Sequence, residues 1–478
     1  MRRRVRDVGL YLLFVGLPVL GVLAILWFSP SKSVVHVVLP LAGGGASPAV
    51  PMPNLARLLL QVLIIVAVAA AAGRIMQVLG QPRVVGEMIA GIVLGPSVLG
   101  ALAPSVAAAI FPAISLGFLN SLSQIGLVFF MFLVGMELDP RLLRGRGHAS
   151  VLASHASIAA PFLLGVLLAL VLQDRLSVPG VPFTTFALFL GAALSVTAFP
   201  VLARILTERR LLRTRVGAAA IVCAAVDDVT AWCILAMVVM LAGTRMGAPP
   251  LWMTLGGTLV YCAAMVWGVR PLLTRLGRYT MEARGLSTYI VATVAMVVLA
   301  SAWLTEMLGI HALFGAFLAG VIMPREEHLV RGLVQRFEDV MVVVLLPLFF
   351  ALTGLRTHIG LIHGVELWTI CAVIVATAIL GKLGGSAVAA RATGMSWREA
   401  GALGLLMNTR GLMELVILNV GLDIGVISPT LFAMMVIMAI VTTLMTTPLL
   451  SWIYPGPPEP KRATQSFHSV RPWKAVRQ

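Results

Sequence analysis

The sequence predicts an all-α, polytopic membrane protein with about fourteen transmembrane helices, and three observations support this prediction. The 478 residues are 59% hydrophobic and only 11% charged, whereas a soluble domain carries about 25% charged residues. The apolar residues form runs of helical length. Lys and Arg residues cluster in the short segments between those runs, where positive charge orients membrane helices.

Each apolar run approaches the roughly 20 residues that cross a bilayer as a helix, although the third and tenth runs are short and rich in glycine. With the N-terminus placed in the cytoplasm, most of the 35 Lys and Arg residues fall on the cytoplasmic side, loop after loop. Both termini are therefore predicted to be cytoplasmic. The spans lie near residues 8–28, 55–79, 83–100, 117–138, 149–172, 183–206, 214–242, 251–273, 286–305, 309–323, 338–356, 363–390, 397–421 and 429–453.

The formal net charge of +16 does not indicate a nucleic-acid partner. The basic residues lie between membrane spans, and aromatic residues do not interleave with them as they do on a base-stacking surface. No GxGxxG or Walker loop occurs, so neither a nucleotide nor another cofactor is expected. The sequence thus predicts a protein of the cell membrane that is not an enzyme.

Three segments are predicted along the chain. Residues 1–54 form an extra N-terminal helix and an external linker rich in Gly, Pro and Ser. The arginines before this helix also fit a signal peptide, but the apolar run is long and no small-residue cleavage site follows, so a retained helix is expected. Residues 55–453 form the membrane domain, and residues 454–478 form a basic cytoplasmic tail that is expected to lie on anionic lipid.

The membrane domain contains an internal repeat. Residues 86–96 resemble residues 314–324, and residues 132–136 in the next span resemble residues 351–355. The matching spans are an odd number of spans apart, so the two halves are expected to cross the membrane in opposite directions. Inverted repeats are typical of secondary transporters, which bind their substrate near mid-membrane where the halves meet.

Two adjacent acids, Asp227 and Asp228, lie in the middle of the apolar run 216–241. A carboxylate at the centre of a bilayer costs roughly 2.5–3.5 kcal/mol, so the pair predicts a cation or proton site within the membrane. Neighbouring residues of a helix point about 100° apart, which allows one carboxylate to face water while the other meets a protein cation. Lys382 in the twelfth span is the expected partner; the alternative is a lysine that reaches the cytoplasmic surface.

The sixth span is predicted to be a broken helix. Pro200 removes a backbone donor and frees a carbonyl upstream, while Ser195 and Thr197 add hydroxyl oxygens. Such oxygens suit an alkali cation, so Thr197 is expected to join Asp228 and Asp227 as a ligand of a monovalent metal cation. The alternative is an ordinary proline kink.

The thirteenth span carries polar residues around a glycine and is also predicted to be broken. Asn408 and Thr409 precede Gly411, and Arg410 and Glu414 are four residues apart, so they can pair on one face of a helix. Breaks at matching places in two repeats indicate a transport site. The alternative is a glycine that serves only helix packing.

Several of these motifs together resemble one family. Residues 225–232 look like the paired-aspartate motif of the monovalent cation:proton antiporter-2 family, within the sodium/hydrogen exchanger superfamily. Residues 408–421, 86–96 and 197–203 are similar to further motifs of its members, which include bacterial paired-aspartate sodium/proton antiporters and plant cation/proton exchangers. The resemblance covers roughly residues 55–453.

The resemblance implies a core of thirteen helices, with a six-helix transport domain that moves against a dimerisation domain in a homodimer. It also implies that the two broken helices cross. Asp228 resembles the ion-binding aspartate, and Asp227 resembles the aspartate that pairs with the lysine at Lys382. This pattern is associated with electrogenic exchange. The first span is extra to the core, and the nucleotide-binding tail of the potassium-efflux branch is not expected here.

The predicted function is antiport of a monovalent cation, Na⁺ or K⁺, against protons by alternating access. Two other transport functions stay open, a proton-coupled carrier of another solute and a channel-like potassium-efflux protein. Intramembrane proteolysis also uses two aspartates, but it needs them on facing helices, whereas Asp227 and Asp228 diverge on one helix.

Overall fold

Helices form almost all of the described protein. In the computed structural model, the described residues are 9–28, 55–137, 148–209, 211, 214–242, 251–275, 287–309, 311–324 and 326–455. Within these ranges, the β-type pairing is limited to an isolated bridge between Ser177 and Ile427. The predicted external linker, residues 29–54, and nearly all of the predicted basic tail lie outside the described residues.

The helices of the first half are numbered α1 to α9. Two short helices, Leu99–Leu102 and Pro104–Ile110, connect α3 to α4, and α9 continues through a π-helical turn at Ala264–Val269. The nine helices are Gly9–Phe28, Leu55–Val78, Arg83–Leu94, Ala113–Glu137, His148–Leu176, Phe183–Ser195, Phe199–Glu208, Arg215–Ala242 and Leu251–Ala263.

The helices of the second half are numbered α10 to α18. A π-helical turn at Met341–Leu345 joins α12 to α13, and another at Leu380–Gly384 joins α14 to α15. The nine helices are Thr288–Met307, Ala312–Val321, Glu327–Val340, Leu346–Leu355, Gly364–Ile379, Gly385–Ala392, Trp397–Met407, Leu412–Asp423 and Pro429–Ile453.

The predicted all-α membrane fold is confirmed. Among the described residues, ten helices are long and apolar enough to cross a membrane, and α16 and α17 pass the same test together as one bent span. Helices α6 and α11 are apolar but shorter. The count of fourteen crossings therefore stays a prediction.

One segment differs from the sequence prediction. A loop is expected between the tenth and eleventh spans, but the structure contains the helix α12 there. Leu329 and Leu333, one turn apart, are buried, and Phe337 stacks on Phe129 with ring centroids 5.3 Å apart. The apolar residues recur at helical spacing within a charged segment, and a search for long apolar runs misses such an amphipathic helix.

The helices pack in two groups. Helices α5, α6, α8 and α14 to α18 are neighbours of one another, whereas α2, α3, α4, α10, α11 and α13 form the second group. Contact between the groups is sparse, with α17 touching α13 and α18 touching α3. The assignment of a transport domain and a dimerisation domain to these two groups, which the family resemblance implies, stays a prediction.

The internal repeat is visible in the packing of α3 and α11. A Cβ at Gly86 of α3 would lie 2.4 Å from the carbonyl oxygen of Ala72 on α2, and a Cβ at Gly315 of α11 would lie 2.3 Å from that of Ser301 on α10. Each glycine therefore lets its helix touch the backbone of the helix before it. The same contact occurs once in each half.

A second pair of glycine contacts exchanges partners between the halves. Gly91 of α3 packs on α13, where Gly354 faces it, and Gly320 of α11 packs on α4, where Gly135 faces it. The added Cβ atoms would lie between 2.1 and 2.6 Å from the nearest backbone atoms of the facing helices. Crossed contacts of this kind are expected when two repeats are related by a pseudo-two-fold axis.

Both predicted helix breaks are present, and they cross. Helix α6 ends at Ser195 and α7 begins at Phe199, while α16 ends at Met407 and continues as α17 with a bend of 42°. The backbone N–H of Ala198 in the first break donates a hydrogen bond of 3.0 Å to the carbonyl oxygen of Thr409 in the second.

The extra helix α1 packs along α5, in the group that contains the breaks. A Cβ at Gly21 would lie 3.0 Å from the side chain of Leu163, and the ring of Tyr11 meets His155 edge-on with centroids 5.7 Å apart. This helix is thus attached to the first packing group, although the chain continues from it toward α2 of the second.

Candidate ion-binding site

Asp227 lies halfway along α8 with only 1% of its surface exposed. Its Oδ2 accepts hydrogen bonds from Lys382 Nζ at 2.6 Å and from Thr197 Oγ1 at 2.8 Å. Ser157 Oγ lies 3.0 Å from Oδ1 and 3.2 Å from Oδ2. A buried carboxylate is stable only with such partners, and three segments supply them: helix α5, the break after α6 and the turn that contains Lys382.

Lys382 is fully buried and reaches Asp227 from the π-helical turn between α14 and α15. Gly381 and Gly385 flank it and allow this turn to touch α5. Their Cβ atoms would each lie 2.7 Å from that helix, at Cα of Pro161 and at Cβ of Ala160. The lysine of the sequence prediction therefore does not extend to the surface, and its pairing with Asp227 is present.

Thr197 connects the acid to both helix breaks. It belongs to the break after α6, and its hydroxyl lies 2.8 Å from Asp227 Oδ2 and 2.9 Å from the carbonyl oxygen of Met407 at the end of α16. A hydroxyl carries one proton, so Thr197 donates to one of these two oxygens at a time. When it donates to Met407, its lone pairs can face a cation beside Asp227.

Ser157 of α5 was not found from the sequence, although it contacts both members of the ion pair. Its hydroxyl meets Asp227, and its carbonyl oxygen accepts a hydrogen bond of 3.0 Å from Lys382 Nζ. A signal for it exists four residues later, because Pro161 interrupts the hydrogen bonding of a helix. Ser157 carries no charge and Pro161 lies inside an unbroken helix, so neither resembles the acids and helix breaks that indicate an ion site.

Arg410 is fully buried and holds the second break to the first. It donates to the carbonyl oxygens of Ala193 and Leu194 at the end of α6, at 2.9 and 2.7 Å, and it pairs with Glu414. A cation is favoured at a helix C-terminus because the last carbonyls lack partners there. The expected pair of Arg410 and Glu414 is thus present, and it also caps α6.

The remaining predicted residues occupy less central positions. Ser195 donates to the carbonyl oxygens of Gly191 and Ile158 rather than to Asp227. Thr409 donates to the carbonyl oxygen of Leu406. Ser195 and Thr409 therefore satisfy backbone carbonyls at the ends of the broken helices.

Asn408 is fully buried at the end of α16, where its Nδ2 meets Met445 Sδ at 3.8 Å. Its Oδ1 has no hydrogen-bond partner among the described residues. Pro200 lies in the first turn of α7, and its side chain lies outside the described part of the protein.

Asp228 follows Asp227 in α8, so its Cα is placed but its side chain lies outside the described part. The two ion pairs at the crossing, Asp227 with Lys382 and Arg410 with Glu414, are each neutral overall. The expectation that Asp228 binds the transported ion stays a prediction.

The membrane domain that contains the two broken helices matches a known family. The family model described as sodium/hydrogen exchanger, transmembrane, matches residues 63–453. The chain belongs to the sodium/hydrogen exchanger family. The family match begins within α2 and ends at the last residue of α18, so α1 lies outside it.

Individual members of the exchanger family agree with this assignment. The chain is 46% identical over 407 residues to the Na⁺/H⁺ antiporter NhaS4 of Synechocystis sp., with 84% of the chain and 98% of that protein covered. It is 41% identical over 400 residues to cation/H⁺ antiporter 19 of Arabidopsis thaliana, with 83% of the chain and 49% of that protein covered. The chain thus spans about half the length of this plant relative.

A solved structure supports the fold of this family member. The sodium proton antiporter MjNhaP1 of Methanocaldococcus jannaschii superimposes with a TM-score of 0.59 over 84% of the chain and 96% of that structure. The two chains are 16% identical. The architecture is therefore shared.

Proposed function

We propose that this protein exchanges Na⁺ or K⁺ for protons across the cell membrane, and that Asp228, Asp227 and Thr197 form its ion site. The observation that carries the proposal is the buried contact of Asp227 with Lys382 at the crossing of two broken helices. In this proposal, protons and the metal cation compete for Asp228 and its neighbours. Competition for that place couples the two fluxes.

The hydroxyl groups around Asp227 suit this competition. Thr197 and Ser157 each have a second acceptor, Met407 O at 2.9 Å and Ser154 O at 2.7 Å. Each hydroxyl can donate to the carboxylate when the metal site is empty, and it can turn its proton to the carbonyl when a cation needs oxygen ligands. The site then changes occupant without leaving a buried donor unsatisfied.

Movement between the two helix groups supplies the alternating access in this proposal. A cavity of about 500 Å³ lies between them, lined by Gln124, Glu306, His311 and Asp423 among others. These polar residues come from α4, α10 and α17 and from the segment before α11, and thus from both groups. An empty site carries an uncompensated charge that is costly to move through lipid, so the groups shift only with the site occupied.

Three further features belong to the proposal. Both termini are cytoplasmic, the second helix group dimerises, and each cycle moves net charge. The relative NhaS4 is named for Na⁺ and the plant relative only for a cation, so the proposal includes both alkali ions. Net charge moves when Asp227 and Asp228 together release two protons for each metal ion that they bind, while Lys382 stays positively charged.

The decisive experiment uses purified protein in lipid vesicles with an imposed pH gradient. Wild-type protein is expected to take up Na⁺ or K⁺ as protons leave, and Asp228→Asn is expected to lose this exchange while it stays folded. Asp174→Asn is the matched control, because it makes the same chemical change at an exposed position near the end of α5. Substantial exchange by folded Asp228→Asn would refute the proposed role of Asp228.

The same vesicles separate antiport from the two alternative transport functions. A channel moves the cation without counterflow of protons, and a carrier of another solute moves protons only when that solute is present. An antiporter dissipates the pH gradient in proportion to added Na⁺ or K⁺. A cation-dependent, saturable proton flux is therefore the expected signature.

A further inference from the structure

We propose that Pro161 and Ser157 form a holding point for Lys382: the Ser157 carbonyl, left without a helical donor by Pro161, keeps the ammonium group bound while Asp227 changes partners. The inference rests on the proposed function, since it concerns the moment at which a transported cation reaches Asp227. Ser157 and Pro161 are positioning residues in this account.

The Ser157 carbonyl is available because of its place in the chain. In a regular α-helix it would accept a hydrogen bond from the N–H of residue 161. That residue is proline, which has no N–H, although α5 continues from His148 to Leu176. Ser157 is fully buried, so the carbonyl needs a donor from elsewhere in the protein, and Lys382 Nζ supplies one at 3.0 Å.

The proline also shapes the surface that receives the lysine. Gly381 touches Pro161 so closely that an added Cβ would lie 2.7 Å from its Cα and 2.8 Å from its Cβ. The turn around Lys382 is π-helical, a geometry that recurs at functional sites. The close approach sets the lysine between α5 and α8, where its ammonium group reaches Ser157 O and Asp227 Oδ2 together.

Binding of a cation makes this second acceptor necessary. A metal ion on Asp227 repels the nearby ammonium group, and their repulsion is strong in a buried site. If Asp227 were its sole partner, the lysine would lose its compensation as the cation arrived, which is a large penalty for a buried charge. An ammonium group has three donors, so Lys382 can bind the Ser157 carbonyl and Asp227 at the same time. The carbonyl is a fixed backbone dipole, and it stays in place when a cation binds Asp227.

The same geometry predicts the effect of losing the holding point. Lys382 would then depend on Asp227 alone and would compete harder with the incoming cation. The cation concentration for half-maximal exchange should rise, while the maximal rate should change less. A purely structural role for Pro161 would instead reduce the amount of folded protein or the maximal rate.

Pro161→Ala tests this directly, because it returns an N–H that takes the Ser157 carbonyl into the helix. We expect the KM for the cation to rise about tenfold, the size of one hydrogen bond to a charged group. Pro448→Ala is the matched control: it makes the same change inside α18 and should leave KM unchanged. Gly381→Ala, which pushes the turn away from Pro161, should raise KM in the same way.

A double-mutant cycle tests the contact without relying on transport. Lys382→Met should lower the unfolding temperature less in the Pro161→Ala background than in wild type, because the two changes remove one interaction. The corresponding cycle with Pro448→Ala should be additive. An unchanged KM in folded Pro161→Ala and Gly381→Ala, or an additive first cycle, would overturn the holding point. Absence of exchange by wild-type vesicles would refute the proposed function instead, and the cycle would still decide the contact.

Discussion

Two buried ion pairs lie at the crossing of the broken helices, and they are built differently. Asp227 and Lys382 are 155 positions apart in sequence, and they bring α8 into contact with the turn between α14 and α15. Arg410 and Glu414 are one helical turn apart, and the arginine also caps α6 through Ala193 and Leu194. Both pairs are almost completely buried.

The difference separates a contact that holds the fold from one that can change partners. Arg410 binds backbone carbonyls that no other described donor reaches, so its removal leaves several polar groups unsatisfied at once. Asp227 is instead surrounded by two hydroxyls and an ammonium group, each of which has a second acceptor nearby. Equal burial therefore does not imply equal function.

The largest loss of stability is expected when the pair of Arg410 and Glu414 is broken. Arg410→Leu should lower the free energy of unfolding by about 3–5 kcal/mol, because it leaves a buried carboxylate unpaired and the end of α6 uncapped. Thermal unfolding of the purified protein measures this. Arg356→Leu is the control, since Arg356 and Asp423 form a partly exposed pair whose loss should cost less than about 1 kcal/mol. Equal losses in the two variants would contradict the distinction.

Replacement of both partners of an ion pair measures how much of the lost stability comes from the charge that is left unpaired. Lys382→Met alone should cost about 3 kcal/mol, and the added Asp227→Asn should recover about 1–3 kcal/mol of it, because the unpaired buried charge is removed. Adding Glu414→Gln to Arg410→Leu should recover less, since the α6 carbonyls still lack a donor. The unfolding temperatures of the four variants measure this recovery of stability. Equal recovery in both pairs would contradict the proposal that only the Arg410 pair holds the fold.

A smaller effect is expected from the hydroxyl of Thr197, which lies between Asp227 and the Met407 carbonyl. Thr197→Val should cost about 1 kcal/mol in stability and raise the KM for the cation, because it removes one oxygen next to Asp227. Thr197→Ser should behave like wild type. Ser195→Ala, which removes a hydroxyl bound only to described backbone carbonyls, should leave this KM unchanged. An equal rise in KM in Ser195→Ala would contradict the proposed role of Thr197 as a ligand of the cation.

Much of the architecture could be predicted from the sequence. Apolar runs locate the membrane helices, and Pro200 and Gly411 mark the two breaks, because a missing donor or side chain interrupts a helix locally. The helix α12 has no apolar run, because its apolar residues are spaced one turn apart among charges. The glycines at 86 and 315 revealed the repeat but not which helices they touch.

The candidate site was only partly predictable. Asp227, Lys382 and Arg410 stand out because a charged group in an apolar run is costly and needs a reason to be there. Ser157 does not stand out, since a serine in a membrane helix is common and its carbonyl has no signature except Pro161. Ser195 was expected beside the ions, yet its hydroxyl binds the preceding turn of α6 and Ile158 of α5.

The order of residues along the chain is enough to indicate which groups are buried, because hydrophobic periodicity and the cost of charge in lipid depend on that order. Which of the buried groups meet depends on how the helices pack. Lys382 finds Asp227 and Ser157 only because Gly381 and Gly385 let one helix touch another. Such approaches depend on contacts of a few ångströms between segments far apart in sequence, and no local pattern records them.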